Sequence, residues 1–138
     1  MSRLINPDSA GKQRTQLTRE VVLAIRELMK QEQADEKTRD LAAFIGLALI
    51  EIGETIDVSV QAWEKRGYWV KAERFRMDWD WVFSLGRAML EAVKSEEWGQ
   101  VAMLAVRIAQ KLQKVNVPER NRIGSPWEGA WRRLTQHL

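Results

Sequence analysis

Few residues in this chain have the type and spacing to do chemistry. Glu51, Glu54 and Asp57 form ExxExxD, a spacing that on one helix could present carboxylates to a divalent cation, because hard ions such as magnesium prefer oxygen ligands. A matching set is missing. The next helix offers Glu73 and Asp78 at a spacing of five, which does not face one ligand, and no glutamate/histidine pair of the di-iron kind exists. On a helical wheel the three acids fall mostly outside the apolar stripes, where a solvated face also explains them. Their neighbours Phe44, Leu47, Ile50 and Val58 make that side partly apolar, as a surface covered by another subunit would be.

Other reactive groups are scarce. The chain has no cysteine, so disulfides, thiolate nucleophiles and thiolate metal sites are excluded, and a reducing compartment is expected. The sole histidine is His137, which leaves no internal imidazole for a Ser/His/Asp triad or a histidine-rich zinc site. Gly11 and Lys12 lack the earlier glycine, the following serine or threonine, and the preceding strand that a phosphate loop needs. No cofactor is expected.

Binding chemistry is better represented. AWEKRGYWVKAERFRMDWDW, residues 62 to 81, holds four of the seven tryptophans, and residues 63 to 76 carry five cations against two acids. Guanidinium groups match phosphate geometry and an indole stacks on an unpaired base, so Lys65, Arg66, Lys71, Arg74 and Arg76 are candidate nucleic-acid contacts. The same stretch also reads as a helix joint. Tyr68, Phe75 and Trp79 fall on a core heptad, while Arg74 with Asp78 and Arg76 with Asp80 are spaced to pair along the helix. A second basic cluster follows: Arg120, Arg122, Arg132 and Arg133 surround Trp127 and Trp131, and Arg3, Lys12, Arg14 and Arg19 stand near the other terminus.

The elements that would position these groups are helical. Leu17, Val21, Ala24 and Leu28 mark the buried face of a first helix starting near Thr15 or Thr18, after a turn-rich basic arm, INPDSAGKQR. Asp35 caps a second helix that runs to Gly67, with apolar residues over so much of its circumference that it must be central. Gly46 and Gly53 cost that helix propensity, which predicts close approach by another helix. A third helix carries the seam Tyr68, Ala72, Phe75, Trp79, Val82, Gly86, Met89 and Val93. Ser95 is the expected cap of a fourth, with Trp98, Val101, Ala105, Ile108, Leu112 and Val115 facing inward. The tetrad Ser125, Pro126, Trp127, Glu128 predicts a short last helix over about 126 to 136.

One stripe is left over. Trp81, Leu85, Ala88 and Ala92, with Met77 beside them, lie opposite the seam and need cover, either from the helix bearing Trp127 and Trp131 or from a second copy. These five residues are the candidate interface.

The helix order, with KAERFRMDWDWVFSLGRAML in the third and EEWGQVAMLAVRIAQKLQKV in the fourth, resembles the four-helix-bundle accessory proteins of diversity-generating retroelements and the proteins encoded in 23S rRNA intervening sequences. The likeness covers roughly residues 15 to 115. It implies a non-enzymatic, ring-like homo-oligomer presenting positive charge to nucleic acid and a partner protein, with Lys71, Arg74 and Arg76 as the third-helix cations. The long N-terminal arm and the Arg/Trp-rich extension depart from that pattern. The acidic triplet is similar instead to the ExxE and ExxD pairs of all-helical nucleotide pyrophosphatases, which would imply a divalent-metal-dependent hydrolase.

The expectation is therefore an all-α single domain over 1–138: an N-terminal arm (1–14), an antiparallel up-down four-helix bundle (15–115) and an extension with a short C-terminal helix (116–138). No apolar run reaches a membrane span, the longest being residues 42 to 50, and no secretory leader is visible. A cytoplasmic, homo-oligomeric protein that binds nucleic acid or a ribonucleoprotein is the leading expectation, and an adaptor that docks a protein partner is the alternative.

Overall fold

Asn6 starts the first helix. In the computed structural model, which describes residues 6–136, the Asn6 side chain accepts from the Asp8 amide at 2.9 Å, Pro7 occupies the first helical position and Asp8 faces the positive helix end. Helix α1 therefore spans Pro7–Leu28, and the expected arm is helical from residue 7 onward. Thr15 and Thr18 are not caps. Their hydroxyls donate back to the carbonyls of Gly11 and Thr15 at 3.0 and 2.9 Å, as mid-helix threonines do. Arg3 and His137 lie outside the described residues.

Helix α2, Glu36–Lys65, begins where the sequence says it should. The Asp35 carboxylate accepts from the Thr38 amide at 3.0 Å; this bond, the main cause, holds the Asp35 pKa below its ordinary value. Its far end closes with Gly67 at φ +82°: Gly67 N–H donates to Glu64 O and Tyr68 N–H to Trp63 O. These two bonds satisfy carbonyls that the helix would otherwise leave open.

The expected third helix is two helices, α3 (Trp69–Trp79) and α4 (Trp81–Lys94), interrupted at Asp80. Across the break Trp79 stacks on Trp81 at 5.9 Å. Residues two apart splay on a regular helix, so the stack goes with the interruption. Ser95 ends α4 rather than starting the next helix: Glu96 takes φ +55°, Glu96 N–H donates to Val93 O and Glu97 N–H to Ala92 O. Helix α5 then runs Trp98–Lys111.

The last helix, α6, is Ala130–Gln136, shorter than expected because Gly129 at φ +79° breaks the preceding turn. Asp40 of α2, not Ser125, caps it, accepting from Gly129 N–H at 3.1 Å and Trp131 N–H at 2.9 Å. On the way there Val117 is buried and its carbonyl accepts from Arg26 at 2.7 Å.

All regular structure among the described residues is helical. α2 is the central element, touching α1, α3, α4 and α6, while α5 lies against α4 and, less extensively, α1. Where α2 crosses α4 the backbones nearly touch. A Cβ on Gly86 would sit 3.1 Å from Leu49 Cβ and 3.2 Å from Gly46 O, so the predicted close approach at Gly46 is met by a second glycine. Gly53 serves differently, making room for the Phe83 ring. Among the described residues no helix is long and apolar enough to cross a membrane.

Candidate nucleic-acid interface

The joint between α2 and α3 is where aromatic and cationic side chains meet. The Gly67 turn reverses the chain and leaves Tyr68, Trp69 and Val70 outside, with Trp69 63% and Val70 74% exposed. Tyr68 is thus not a core residue. Its heptad position is sound, but a seam residue is buried only where a neighbouring helix runs alongside it. Ala72 is buried, Phe75 and Trp79 are half-buried, and the seam is fully buried again at Val82 of α4.

An aromatic ladder supports this corner from beneath. Trp63 meets Phe75 edge-on at 4.8 Å, Phe75 meets Trp79 at 6.4 Å, and Trp79 meets Trp81; edge-on and offset pairs of this kind are each worth about 0.5–1.5 kcal/mol beyond burial. Two cations brace it. Lys71 Nζ sits 4.6 Å from the Trp63 ring centre, and the Arg14 guanidinium lies 4.8 Å from that of Phe75 while donating to Ser59 Oγ at 3.3 Å. Burial pulls the Arg14 pKa below its ordinary value. Arg14 therefore bolts α1 to α2 and α3.

The five corner cations divide. Arg76 is neutralised, bonding Glu64 at 3.2 Å and also Glu73; the Glu64 bond is the main reason its pKa is raised. The expected Arg76–Asp80 and Arg74–Asp78 pairs are not formed. Among the described residues Lys65, Arg66, Lys71 and Arg74 have no acidic partner within salt-bridge distance. Lys71 and Arg74 line one shallow groove with Trp63, Val70, Phe75 and Asp78.

The C-terminal cluster belongs to a different surface. Asp40 anchors it about 38 Å along α2 from Lys65, at ~1.5 Å per residue. Arg120, Arg122, Arg132 and Arg133 are all exposed, but Trp127 is only 6% exposed and is part of the core. An indole so covered has no free face for a base, which removes Trp127 from the stacking set; Trp131 is half-buried against the same core.

The leftover stripe is also largely covered, by neither expected occupant. Leu85 and Ala92 are buried and Ala88 is half-buried because α5 packs on α4, whereas the C-terminal helix packs on α2. Met77 stays 64% exposed and Trp81 partly so. On α2, Gln13 donates to Glu51 at 3.3 Å, Asp57 is exposed, and among the described residues no three acidic, histidine or cysteine side chains are grouped to hold a metal ion. The structure does not gather Glu51, Glu54 and Asp57 into a centre.

Sequence reasoning missed Trp69 and Val70. The available signal was Gly67, since the residues just after a left-handed turn start a new helix at the rim of the molecule. The chain matches no protein-family model, no curated protein and no solved structure, so its function has to be argued from the geometry of this site.

Proposed function

We propose that the protein is a cytoplasmic, non-enzymatic binding protein whose α2–α3 corner contacts single-stranded nucleic acid, free or within a ribonucleoprotein. The observation that carries this reading is the placement of exposed Tyr68 and Trp69 beside Lys65, Arg66, Lys71 and Arg74, none of them ion-paired among the described residues. Aromatic faces take unpaired bases and flanking cations take phosphates, a combination that favours single strands over duplexes. We read the scaffold as an up-down bundle of four columns, with α3 and α4 together forming one; the basic C-terminal extension is an accessory contact in this scheme.

Fluorescence anisotropy with labelled single-stranded RNA, single-stranded DNA and duplex tests it. Four phosphate contacts should give a log–log salt slope of about −3. Lys71→Glu with Arg74→Glu should flatten that slope and weaken binding while leaving the unfolding midpoint in place. Equal retention of all probes at low and high salt would reject the corner as a nucleic-acid site.

A second reading, a self-associating adaptor, is favoured by Met103 and Val106, which are 53% and 46% exposed on α5. It predicts that Met103→Asp with Val106→Asp lowers the mass measured by light scattering. A monomeric wild type would dispose of it.

A further inference from the structure

Between α4 and α5 lies an open groove with no acid in its walls. α4 contributes Trp81, Ser84 and Leu85, and α5 contributes Arg107, Gln110 and Lys111. Leu85 is buried and forms the floor. Arg107 and Lys111 are one helical turn apart, where like charges repel, and the whole of α5 holds no aspartate or glutamate to offset them. Neither cation forms an ion pair among the described residues. Two cations and two neutral polar residues, Ser84 and Gln110, thus line one cleft beside a partly exposed indole.

This groove continues the corner. Val70, Arg74 and Met77 recur at 4-3 spacing along α3 and are exposed, and Trp81 follows just past the break at Asp80. From Val70 to Met77 the helix rises about 10 Å. The path runs from the exposed aromatic corner to the cationic cleft, with Trp81 held in place by its stack on Trp79.

We propose that the α4–α5 groove is a nucleotide-binding site, in which Arg107 and Lys111 hold a phosphate, the Trp81 indole takes the base, and Ser84 and Gln110 supply polar contacts. A nucleotide fits better than a bare anion because the groove offers an aromatic wall as well as paired cations. The unit can come from a strand already held at the corner, which rests on the reading above, or from a free mononucleotide; the chemistry is shared.

The test uses the full chain and two probes, a labelled ten-nucleotide single strand and adenosine monophosphate, with ribose 5-phosphate as the control lacking a base. Arg107→Gln with Lys111→Gln replaces two exposed cations with shorter neutral polar side chains and relieves the like-charge repulsion, so the fold is expected to survive, which circular dichroism checks. Strand binding should weaken about tenfold or more and the salt slope should flatten by about 0.7 as one phosphate contact is lost. Trp81→Leu should weaken the strand and adenosine monophosphate but not ribose 5-phosphate. Adenosine monophosphate binding that survives Lys71→Glu with Arg74→Glu yet is lost in the groove variant would establish the groove even if the corner binds no strand. Unchanged affinity and slope in the groove variant, with binding abolished by the corner variant, would overturn the groove and leave the corner standing; no binding of either probe by the wild type would overturn it as well.

Discussion

Two regions of α2 use bulky and small residues in opposite ways. In the middle, where α2 crosses α4, Gly46 and Gly86 let the backbones close to contact, and Ile45, Leu49 and Met89 fill the surrounding space with no exposed surface. At the end, where α2 turns into α3, the larger side chains Tyr68 and Trp69 stand mostly in solvent. Large side chains exclude water only where a second helix lies within reach, and at the corner α2 has outrun its neighbours. The crossing is close-packed with little room to adjust; the corner has area to spare for a ligand.

That contrast can be broken by experiment. Gly86→Val forces a branched side chain against Leu49 and the Gly46 carbonyl, and overpacking of this kind should cost about 1–3 kcal/mol in denaturant unfolding; a neutral result would mean the helices can part freely. Asp40→Ala removes the acceptor for two α6 amides and should cost about 1 kcal/mol, with hydrogen-exchange protection lost first over residues 127–136. Trp69→Ala should change stability by no more than about 0.5 kcal/mol despite the size of the deletion, yet remove one stacking face. A loss of several times that would show the corner to be core.

The smallest effect concerns acid. Because the Asp35 pKa is depressed in the folded protein, its contribution is present above the ordinary carboxylate range and is lost as pH falls through the folded value. Asp35→Asn, which keeps a capping oxygen, should therefore flatten the acid side of a stability-versus-pH curve and leave the neutral side nearly unchanged. An unaltered acid side would show that the Thr38 amide bond adds nothing in solution.

Much of the architecture was legible because it depends on neighbours in sequence. Asp35 and Gly67 act through residues two to five positions away, and Gly46 signalled a close contact by being a poor helix residue in a long helix. The start of α1 was equally local, but the Asn6–Pro7–Asp8 signature was overlooked because residues 7–16 hold only one apolar residue, Ala10, which is fully buried. At the candidate site the cations were legible and their pairing was not. Arg76 chose Glu64, twelve residues away across the turn, over Asp80, four residues on at the break after α3.

The sequence alone determined the all-helical class, the positions of several helix ends and the absence of thiol chemistry, since each follows from local hydrogen bonding, periodicity or composition. Tertiary structure decided which tryptophans are buried, which cations are neutralised and what covers the second stripe of α4. Those outcomes depend on contacts such as Arg14 with Phe75 and Asp40 with Trp131. Chain-distant partners of this kind are fixed only when the helices pack, because burial is a property of neighbours in space.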